Sequence, residues 1–215
     1  MNPKTYTKRK YDSSRRKLMA LETRKQIAES ARVLFFERGY AGTTIESIAK
    51  VSGVSTETVY AIFQNKRTIL SHLMDIAVGG DELPIKLVDR PGPQAVFHET
   101  DPVQQIKLFS RDISKILVRA APVFEILRST AKSDDEIAGL VKDRLKGRME
   151  NMKVFVQHVD KNHGLRDGLN VQSAADIVWV ITSPEVFLLL TRDQNYSLEK
   201  YENWLESTLE RLLLS

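Results

Sequence analysis

The residues best suited to contact another molecule lie in residues 43–63, which read TTIESIAKVSGVSTETVYAIF. Threonine and serine are frequent there, and the apolar residues are too few for the stretch to fold alone. Short hydroxyl side chains and a tyrosine can reach phosphate oxygens and base edges without filling a groove of double-stranded DNA. The candidates for such contacts in the second half of the stretch are Ser55, Thr56, Glu57 and Tyr60.

A first short helix is predicted in this stretch ahead of its glycine. Thr43 and Glu46 have the spacing of a capping box, which predicts that the helix begins at Thr44. The unpaired N–H groups and the positive dipole end of that helix would suit a phosphate. The helix is expected to end near Val51, because Gly53 can adopt the backbone angles of a sharp turn.

A second short helix is predicted at residues 56–62, with Ser55 as its cap. Ala49 is small at the place where two crossing helices need close approach. These features predict a helix-turn-helix, whose second helix lies in a DNA major groove. The apolar residues expected to hold the two helices together are Ile45, Ile48, Val54 and Val59.

The segment ARVLFFERGYAGTTIESIAKVSGVSTETVYAIFQNKRTIL resembles the DNA-binding domain of the tetracycline-repressor (TetR) family of bacterial transcription regulators. The specific motif covers residues 24–70, and the stretches ADIVWVITSPEVFLLL and YENWLESTLERLLL resemble the last helices of many members. The resemblance implies an N-terminal three-helix domain with the helix-turn-helix, followed by a larger helical domain for effector binding and dimerisation. The residues that match the family motif are Ala31, Phe35, Gly39, Tyr40, Thr43, Thr44, Ile48, Ala49, Gly53, Val54, Ser55, Tyr60, Phe63, Lys66 and Leu70.

The resemblance also implies DNA-binding roles for the matched residues. Thr43 and Thr44 would touch backbone phosphate, and Lys66 would pair with phosphate or else be a solvated helix start. Glu57 stands where the family often has glycine, and it either accepts a hydrogen bond from cytosine N4 or is simply solvated. The residues implied to lie on the recognition helix are Ser55, Thr56 and Tyr60, the alternative for Tyr60 being core packing against Phe63.

Charge is divided unevenly along the chain. Residues 1–80 hold 14 Lys and Arg against 7 Asp and Glu, whereas residues 81–215 hold 18 against 21. A basic N-terminal segment followed by a mildly acidic remainder favours contact of the N-terminal segment with a polyanion, and the alternative is a solvated basic tail. The resemblance implies an arm that enters a minor groove or follows the backbone, and that is disordered without DNA. Its candidate contacts are Lys8, Arg9, Lys10, Arg15, Arg16 and Lys17.

Composition excludes several classes of protein and site. The chain has no cysteine, which excludes disulfides, thiolate metal sites and thiol catalysis and fits a reducing cytoplasm. No apolar run approaches the roughly 20 residues that a membrane helix needs, and the N-terminus has no secretory signal. We therefore expect a cytoplasmic protein that contacts no membrane.

Helical periodicity dominates and predicts an all-α fold. The expected domains are a basic arm at 1–23, a helix-turn-helix domain at 24–78, a connector rich in proline and glycine at 79–101, and a helical domain at 102–215. The helices expected after the connector are 102–120, 122–132, 134–161, 171–182, 184–193 and 197–214, with starts at Asp134, Asn170, Ser183 and Ser197.

The resemblance implies that the helical domain binds a small-molecule effector, which the sequence does not identify, and pairs two subunits. An effector would release the DNA if it binds better to a dimer whose recognition helices no longer match the spacing of the two half-sites. The helix at 66–78 would transmit the change. The residues expected to line the pocket, or else to form plain core, are Phe109, Ile113, Ile116, Phe124, Leu127, Met149, Met152, Phe155 and Trp179. The residues expected at the dimer interface, or else in the intrachain core, are Ala174, Val178, Val186, Leu189, Leu190, Leu205, Leu209 and Leu212.

Two other classes of function compete with this interpretation. An enzyme is disfavoured, because His158 and His163 lack the spacing of a metal-binding pair on one helix face, and the chain has no phosphate-binding glycine loop. No cofactor is expected. A ligand-independent DNA-organising or helical interaction protein would bind DNA without regard to sequence. Because residues 55–63 carry no charge apart from Glu57, we predict instead a sequence-specific regulator. The resemblance further implies that it is a ligand-released repressor that binds a palindromic operator as a homodimer.

Overall fold

A computed structural model describes residues 13–215 of the chain, and within that range every regular element is helical. The chain forms two compact units, Met1–Ile69 and Leu70–Ser215, called here the N-terminal unit and the C-terminal unit. The prediction of an all-α fold is confirmed. The division between the units falls inside a helix, ahead of the proline-rich stretch at 79–101 where the sequence suggested a connector.

The N-terminal unit contains helices α1 (Ser13–Arg38), α2 (Ile45–Ser52), α3 (Thr56–Phe63) and the first turn of α4 (Lys66–Gly79). Helix α1 begins at Ser13, so residues 13–23 of the predicted arm are helical, which corrects the expectation of a disordered arm for that part. Lys8, Arg9 and Lys10 lie outside the described residues. Helix α1 ends as predicted before Gly39, whose φ of 70° is the left-handed conformation that stops a helix.

The core of the N-terminal unit is built from one apolar stripe on each helix. Helix α1 packs on α2, and α2 packs on α3. The side chains that fill the space between them are fully buried, so the two short helices are held by apolar contacts that neither could form alone. These side chains are Ile27, Leu34, Phe35, Ile48, Val59, Phe63 and Ile69.

The C-terminal unit contains the rest of α4, a single 3₁₀ turn at Leu87–Asp89, and helices α5 to α10. Helix α6 is central, because it packs on α5, α7, α9 and α10. The bounds are α5 (Pro91–His98), α6 (Pro102–Thr130), α7 (Asp135–His163), α8 (Val171–Ile181), α9 (Pro184–Leu188), which continues through a π turn (Leu189–Asp193), and α10 (Leu198–Leu213).

The predicted starts of four helices are confirmed by their caps. Side chains of Asp134, Asn170, Ser183 and Ser197 each accept a hydrogen bond from the backbone N–H three residues later. The predicted break near residue 121 is wrong, since α6 runs through Pro122. The proline leaves the carbonyl of residue 118 without its helical donor. Residue 118 is exposed, so water can bind that carbonyl, while buried Ala121 and Val123 keep the helix packed.

Four residues expected at a dimer interface lie instead in the core of the C-terminal unit. Ala174, Val178, Leu205 and Leu209 have no exposed surface, because their helices pack against neighbouring helices of the same chain. For these four the interface expectation is wrong. Leu189 is 53% exposed, and the others are half-buried, namely Val186, Leu190 and Leu212.

One described stretch, Val171–Asp193, is long and apolar enough to cross a membrane by length and composition alone. It is divided, because α8 ends at Ile181 and α9 begins only after the cap at Ser183. The buried side chains of α8 face the core, where α8 packs on α7 and α10. The stretch therefore forms two helices of the C-terminal unit, each with one side packed in the core.

Candidate functional site

The cap of α2 differs by one residue from the predicted one. Thr44, not Thr43, is the N-cap: its hydroxyl accepts from the backbone N–H of Ser47 at 3.2 Å, and Ser47 Oγ accepts from the Thr44 N–H at 3.1 Å. The pKa of the Glu46 carboxyl is lowered by hydrogen bonds from its own backbone N–H and from the Thr44 hydroxyl. Two donors at this helix start are therefore already used, which corrects the expectation that they are free for a phosphate.

Thr43 is fully buried, which corrects its predicted contact with DNA phosphate. Its hydroxyl lies 2.8 Å from the Gly39 carbonyl oxygen and 3.1 Å from the Leu34 carbonyl oxygen. Both carbonyls belong to the end of α1, where helical donors run out. Thr43 therefore stabilises the corner between α1 and α2 and leaves Thr44 as the exposed threonine of the pair.

A tight turn connects α2 to α3. Gly53 has a φ of 67° and donates to the last carbonyls of α2, and the N–H of Val54 donates to the Ala49 carbonyl oxygen at 3.1 Å. Ser55 then caps α3, because its hydroxyl oxygen accepts from the N–H of Thr58 at 3.2 Å. The predicted turn and the predicted cap of the second helix are both confirmed.

Helix α3 has one face in the core and one face in solvent. Val59 and Phe63 are fully buried, and the Arg24 guanidinium lies 4.8 Å from the Phe63 ring centroid. Tyr60 is 50% exposed, so its side chain is not part of the core. The other residues of the outer face are exposed or half-buried: Ser55, Thr56, Glu57, Thr58 and Ala61.

Glu57 places a negative charge at the start of α3. Hydrogen bonds from its own backbone N–H and from the Ser55 hydroxyl lower the pKa of this exposed carboxyl. A phosphate at the start of α3 would therefore meet a negative carboxylate, and the backbone N–H of Glu57 is already bonded to that carboxylate. The geometry leaves Glu57 available to accept a hydrogen bond from a base.

Lys66 has a structural partner that the sequence did not predict. Its ammonium donates to the Tyr40 carbonyl oxygen at 2.6 Å and to the Thr43 carbonyl oxygen at 2.7 Å, and it lies 4.1 Å from the Tyr40 ring centroid. The start of α4 is thereby tied to the corner between α1 and α2. Arg15 and Arg16, the described basic candidates at the start of α1, have exposed side chains.

The C-terminal unit contains a partly open cavity of about 730 Å³, within the size range of ligand sites. Segments of α4, α6 and α7 line it together with residues 81–88 and Arg90. Four of the predicted pocket residues reach its wall: Ile113, Ile116, Phe124 and Met152.

The other predicted pocket residues are absent from this wall. Phe109 and Phe155 stack on each other with ring centroids 3.8 Å apart, and Leu127 is fully buried core. Met149 and Trp179 are half-buried and do not line it either. For all five, the pocket expectation is corrected, and the apolar surface of Phe109, Leu127 and Phe155 is used within the packed unit.

Sequence reasoning missed the charged residues of the cavity, above all Arg148. A signal for Arg148 exists in the sequence. The buried positions of α7 include Val141, Met152, Phe155 and Val159, and the same helical spacing places Arg148 on that face. A charged residue on an apolar stripe requires a partner.

The helix-turn-helix geometry agrees with comparison to known families. Residues 27–73 match the family model described as "Bacterial regulatory proteins, tetR family". The chain belongs to the tetR family. The match covers α2, α3 and their supports, the part of the molecule where caps and turn were confirmed above.

Relatives of this tetR-family chain extend the likeness at lower identity. HTH-type transcriptional regulator TtgR of Pseudomonas putida is 43% identical over 61 residues, which are 28% of this chain and 29% of TtgR. HTH-type transcriptional repressor BepR of Brucella suis is 31% identical over 146 residues, or 66% of each chain. The chain thus matches less than a third of the length of TtgR.

A solved tetR-like structure shares the fold across both units. The transcriptional regulator FadR of Bacillus subtilis, in complex with stearoyl-CoA, is 23% identical with a TM-score of 0.64. The likeness covers 86% of this chain and 96% of FadR. In the described part of this tetR-family chain, no group of three His, Asp or Glu side chains could hold a metal ion.

Proposed function

We propose that this protein is a transcription regulator that binds double-stranded operator DNA through α3. The observation that carries the proposal is how α3 is held. Its buried residues Val59 and Phe63 fix the helix in the core, while Tyr60 and the hydroxyls at its start remain accessible. Such side chains suit base edges and phosphates in a major groove. A cytoplasmic location is part of the proposal, because operator DNA lies there.

The affinity would come from different residues than the specificity. Arg15 and Arg16 at the start of α1, with Thr44 at the start of α2, are the described candidates for phosphate contacts. Ser55, Thr56 and Tyr60 are the candidates for base and groove contacts. Basic groups that pair with phosphates release counterions from the DNA and strengthen binding to every DNA sequence, whereas hydroxyl and phenol groups distinguish base edges.

The active species is proposed to be a homodimer. One helix-turn-helix reads a single half-site, and dimers of this kind place two recognition helices about 34–36 Å apart on a palindrome. Exposed apolar side chains on α8 and the π turn support the pairing, because Val180 and Leu189 are each 53% exposed. The half-buried residues Val186, Leu190 and Leu212 would extend this surface.

The regulator is proposed to be a repressor released by a small molecule bound in the 730 Å³ cavity. The cavity supports this, as does the stearoyl-CoA complex of the B. subtilis relative. A ligand that binds better to a dimer with mismatched recognition helices would lower operator affinity by shifting populations. To move the equilibrium from mostly bound to mostly released, the affinities must differ by about 10⁴-fold.

Selection of bound sites from random DNA tests the proposal. The expected result is an inverted repeat whose half-sites are separated by about one helical turn. Thr56→Ala and Tyr60→Ala should lose the selected sequence, whereas Lys161→Ala, at an exposed position of α7, should keep it. Enrichment of no sequence, with binding that depends only on salt, would favour a DNA-organising protein instead.

A further inference from the structure

A half-buried arginine without a carboxylate partner lines the cavity. Arg148 on α7 donates through Nη2 to the Trp179 carbonyl oxygen at 2.5 Å and to Thr182 Oγ1 at 2.8 Å. Its guanidinium carbon lies 5.1 Å from the Trp179 ring centroid. Nη1 of the same group is buried and has no hydrogen-bond partner. One edge of a guanidinium is therefore left with two unused N–H groups.

The other arginines of the cavity wall are already paired. Arg90 lies 2.9 Å from Asp81, and Arg144 lies 2.5 Å from Asp75. Among residues 13–215, no carboxylate lies within 4.0 Å of Arg148. Glu185 acts on it only at longer range, and its own carboxylate lies 2.9 Å from Arg128.

The apolar surroundings of Arg148 raise the free-energy cost of keeping its guanidinium charged. Apolar side chains of α6 and α7 line the cavity, among them Ile113, Phe124 and Met152. Burial lowers the pKa of Arg148 to about 10, and Glu185 and Tyr201 oppose that shift. The group therefore remains protonated at neutral pH, and an unpaired buried cation is costly unless an anion joins it.

We propose that the cavity binds an apolar organic acid, whose carboxylate pairs with the guanidinium of Arg148 and whose apolar part lies against α6 and α7. This rests on the proposed function only in treating the cavity as the effector site. The ligand carries a single negative charge, because Arg148 is the one arginine of the described cavity wall without a carboxylate partner. A second anionic group would meet Glu82, which also lines the cavity and has a buried, unpartnered carboxylate oxygen.

The pairing separates free acids from their neutral derivatives. An ester or thioester of the same chain keeps the apolar part but lacks the charge, so Arg148 stays unpaired when it binds. Hydrogen bonds to charged groups contribute enough to make the acid bind about tenfold to a hundredfold more tightly than its ester. Stearoyl-CoA, the ligand of the B. subtilis relative, is a thioester without a free carboxylate, and its negative charges lie on the phosphates of the coenzyme. This chain is thus inferred to prefer a different chemical form.

The test measures binding to the full-length protein by calorimetry and by thermal unfolding. The probes are octanoate, dodecanoate, hexadecanoate and biphenyl carboxylate, each beside its methyl ester, with dodecyl phosphate as the dianionic comparison. We expect at least one acid to bind at least about tenfold more tightly than its ester and than dodecyl phosphate. Equal affinity of acid and ester, or no binding by any acid, would overturn the proposal.

Variants of the arginine complete the test. Arg148→Met should lose the preference for the acid, and Arg148→Lys should retain part of it because it keeps the charge. Arg111→Met, at an exposed position of α6, is the matched control and should bind like the unchanged protein. An Arg148→Met protein that still prefers the acid would refute the role of Arg148, and circular dichroism would verify that each variant is folded.

Operator binding distinguishes this inference from the proposed function. In Arg148→Met, the acid should no longer release the selected DNA, whereas in the control Arg111→Met the acid should still release it. If the unchanged protein prefers the acid but never binds a specific DNA, the proposed function fails while the inference stands. If it binds specific DNA and shows no preference for the acid, the inference alone fails.

Discussion

Replacing Lys66 with methionine tests whether this lysine holds the N-terminal unit together or contacts DNA. The side chain is half-buried at the start of α4, and its ammonium contacts two carbonyl oxygens, of Tyr40 and Thr43, within 2.7 Å. Methionine keeps most of the apolar stem but removes the donors and the charge. The two carbonyls would lose a partner that water replaces only in part.

The size of the effect follows from these contacts. A hydrogen bond from a charged group contributes about 1.5–3 kcal/mol, and the contact with the Tyr40 ring, 4.1 Å away, adds about 0.5–1 kcal/mol. Because the two hydrogen bonds share one ammonium and the site is partly solvated, they do not add fully. We expect Lys66→Met to lower the free energy of unfolding of the N-terminal unit by about 2–4 kcal/mol.

Hydrogen exchange of peptides from residues 40–69 measures that loss directly, since exchange there reports local opening of the N-terminal unit. Lys25→Met, at an exposed position of α1, is the control and should change the opening free energy by less than about 0.5 kcal/mol. The same variants are titrated with operator DNA at several salt concentrations. Loss of a phosphate contact lowers the salt slope by about 1. Unchanged exchange in Lys66→Met together with a reduced slope would refute the structural role.

Three further substitutions test separate parts of the account. Glu57→Gln should raise affinity for unrelated DNA at low salt, because a carboxylate is removed from the helix proposed to face DNA; a loss of affinity confined to one base pair of the operator would instead identify a base contact. Gly53→Ala should cost about 1–2 kcal/mol in chemical denaturation, because its φ is 67° although no atom obstructs a Cβ; no measurable loss would contradict the strained turn. Burial raises the pKa of Asp112, so the charged carboxylate disfavours the folded state once the pH exceeds the ordinary carboxyl pKa. Asp112→Asn should therefore gain stability relative to the unchanged protein as the pH rises from acidic to neutral. A constant difference in stability across that range would contradict the buried charge.

Local signals in the sequence predicted the elements that position α3. The Ser55 cap, the turn at Gly53 and the cap residues of the later helices each depend on backbone needs within four residues, so the chain alone specifies them. The predicted cap of α2 is wrong by one residue, because the side chains of both Thr43 and Thr44 are able to cap a helix. Only the packing of α1 decides that Thr43 is buried.

Tertiary packing decided what the sequence could not. Apolar periodicity marks Leu205 and Leu209 as buried, yet it does not distinguish a contact within the chain from one between two chains. Pro122 signals a break only when no buried neighbours hold the helix together. The partners of Lys66 lie 23 and 26 residues away in the chain, and no local pattern predicts such pairs.

Footprinting of the selected operator tests the central claim most directly, since the claim is that α3 enters the major groove of DNA. The unchanged protein should protect two half-sites about 34–36 Å apart, and Tyr60→Ala should lose that protection at the same concentration while remaining folded. Protection without an inverted repeat, or full protection by Tyr60→Ala, would contradict it.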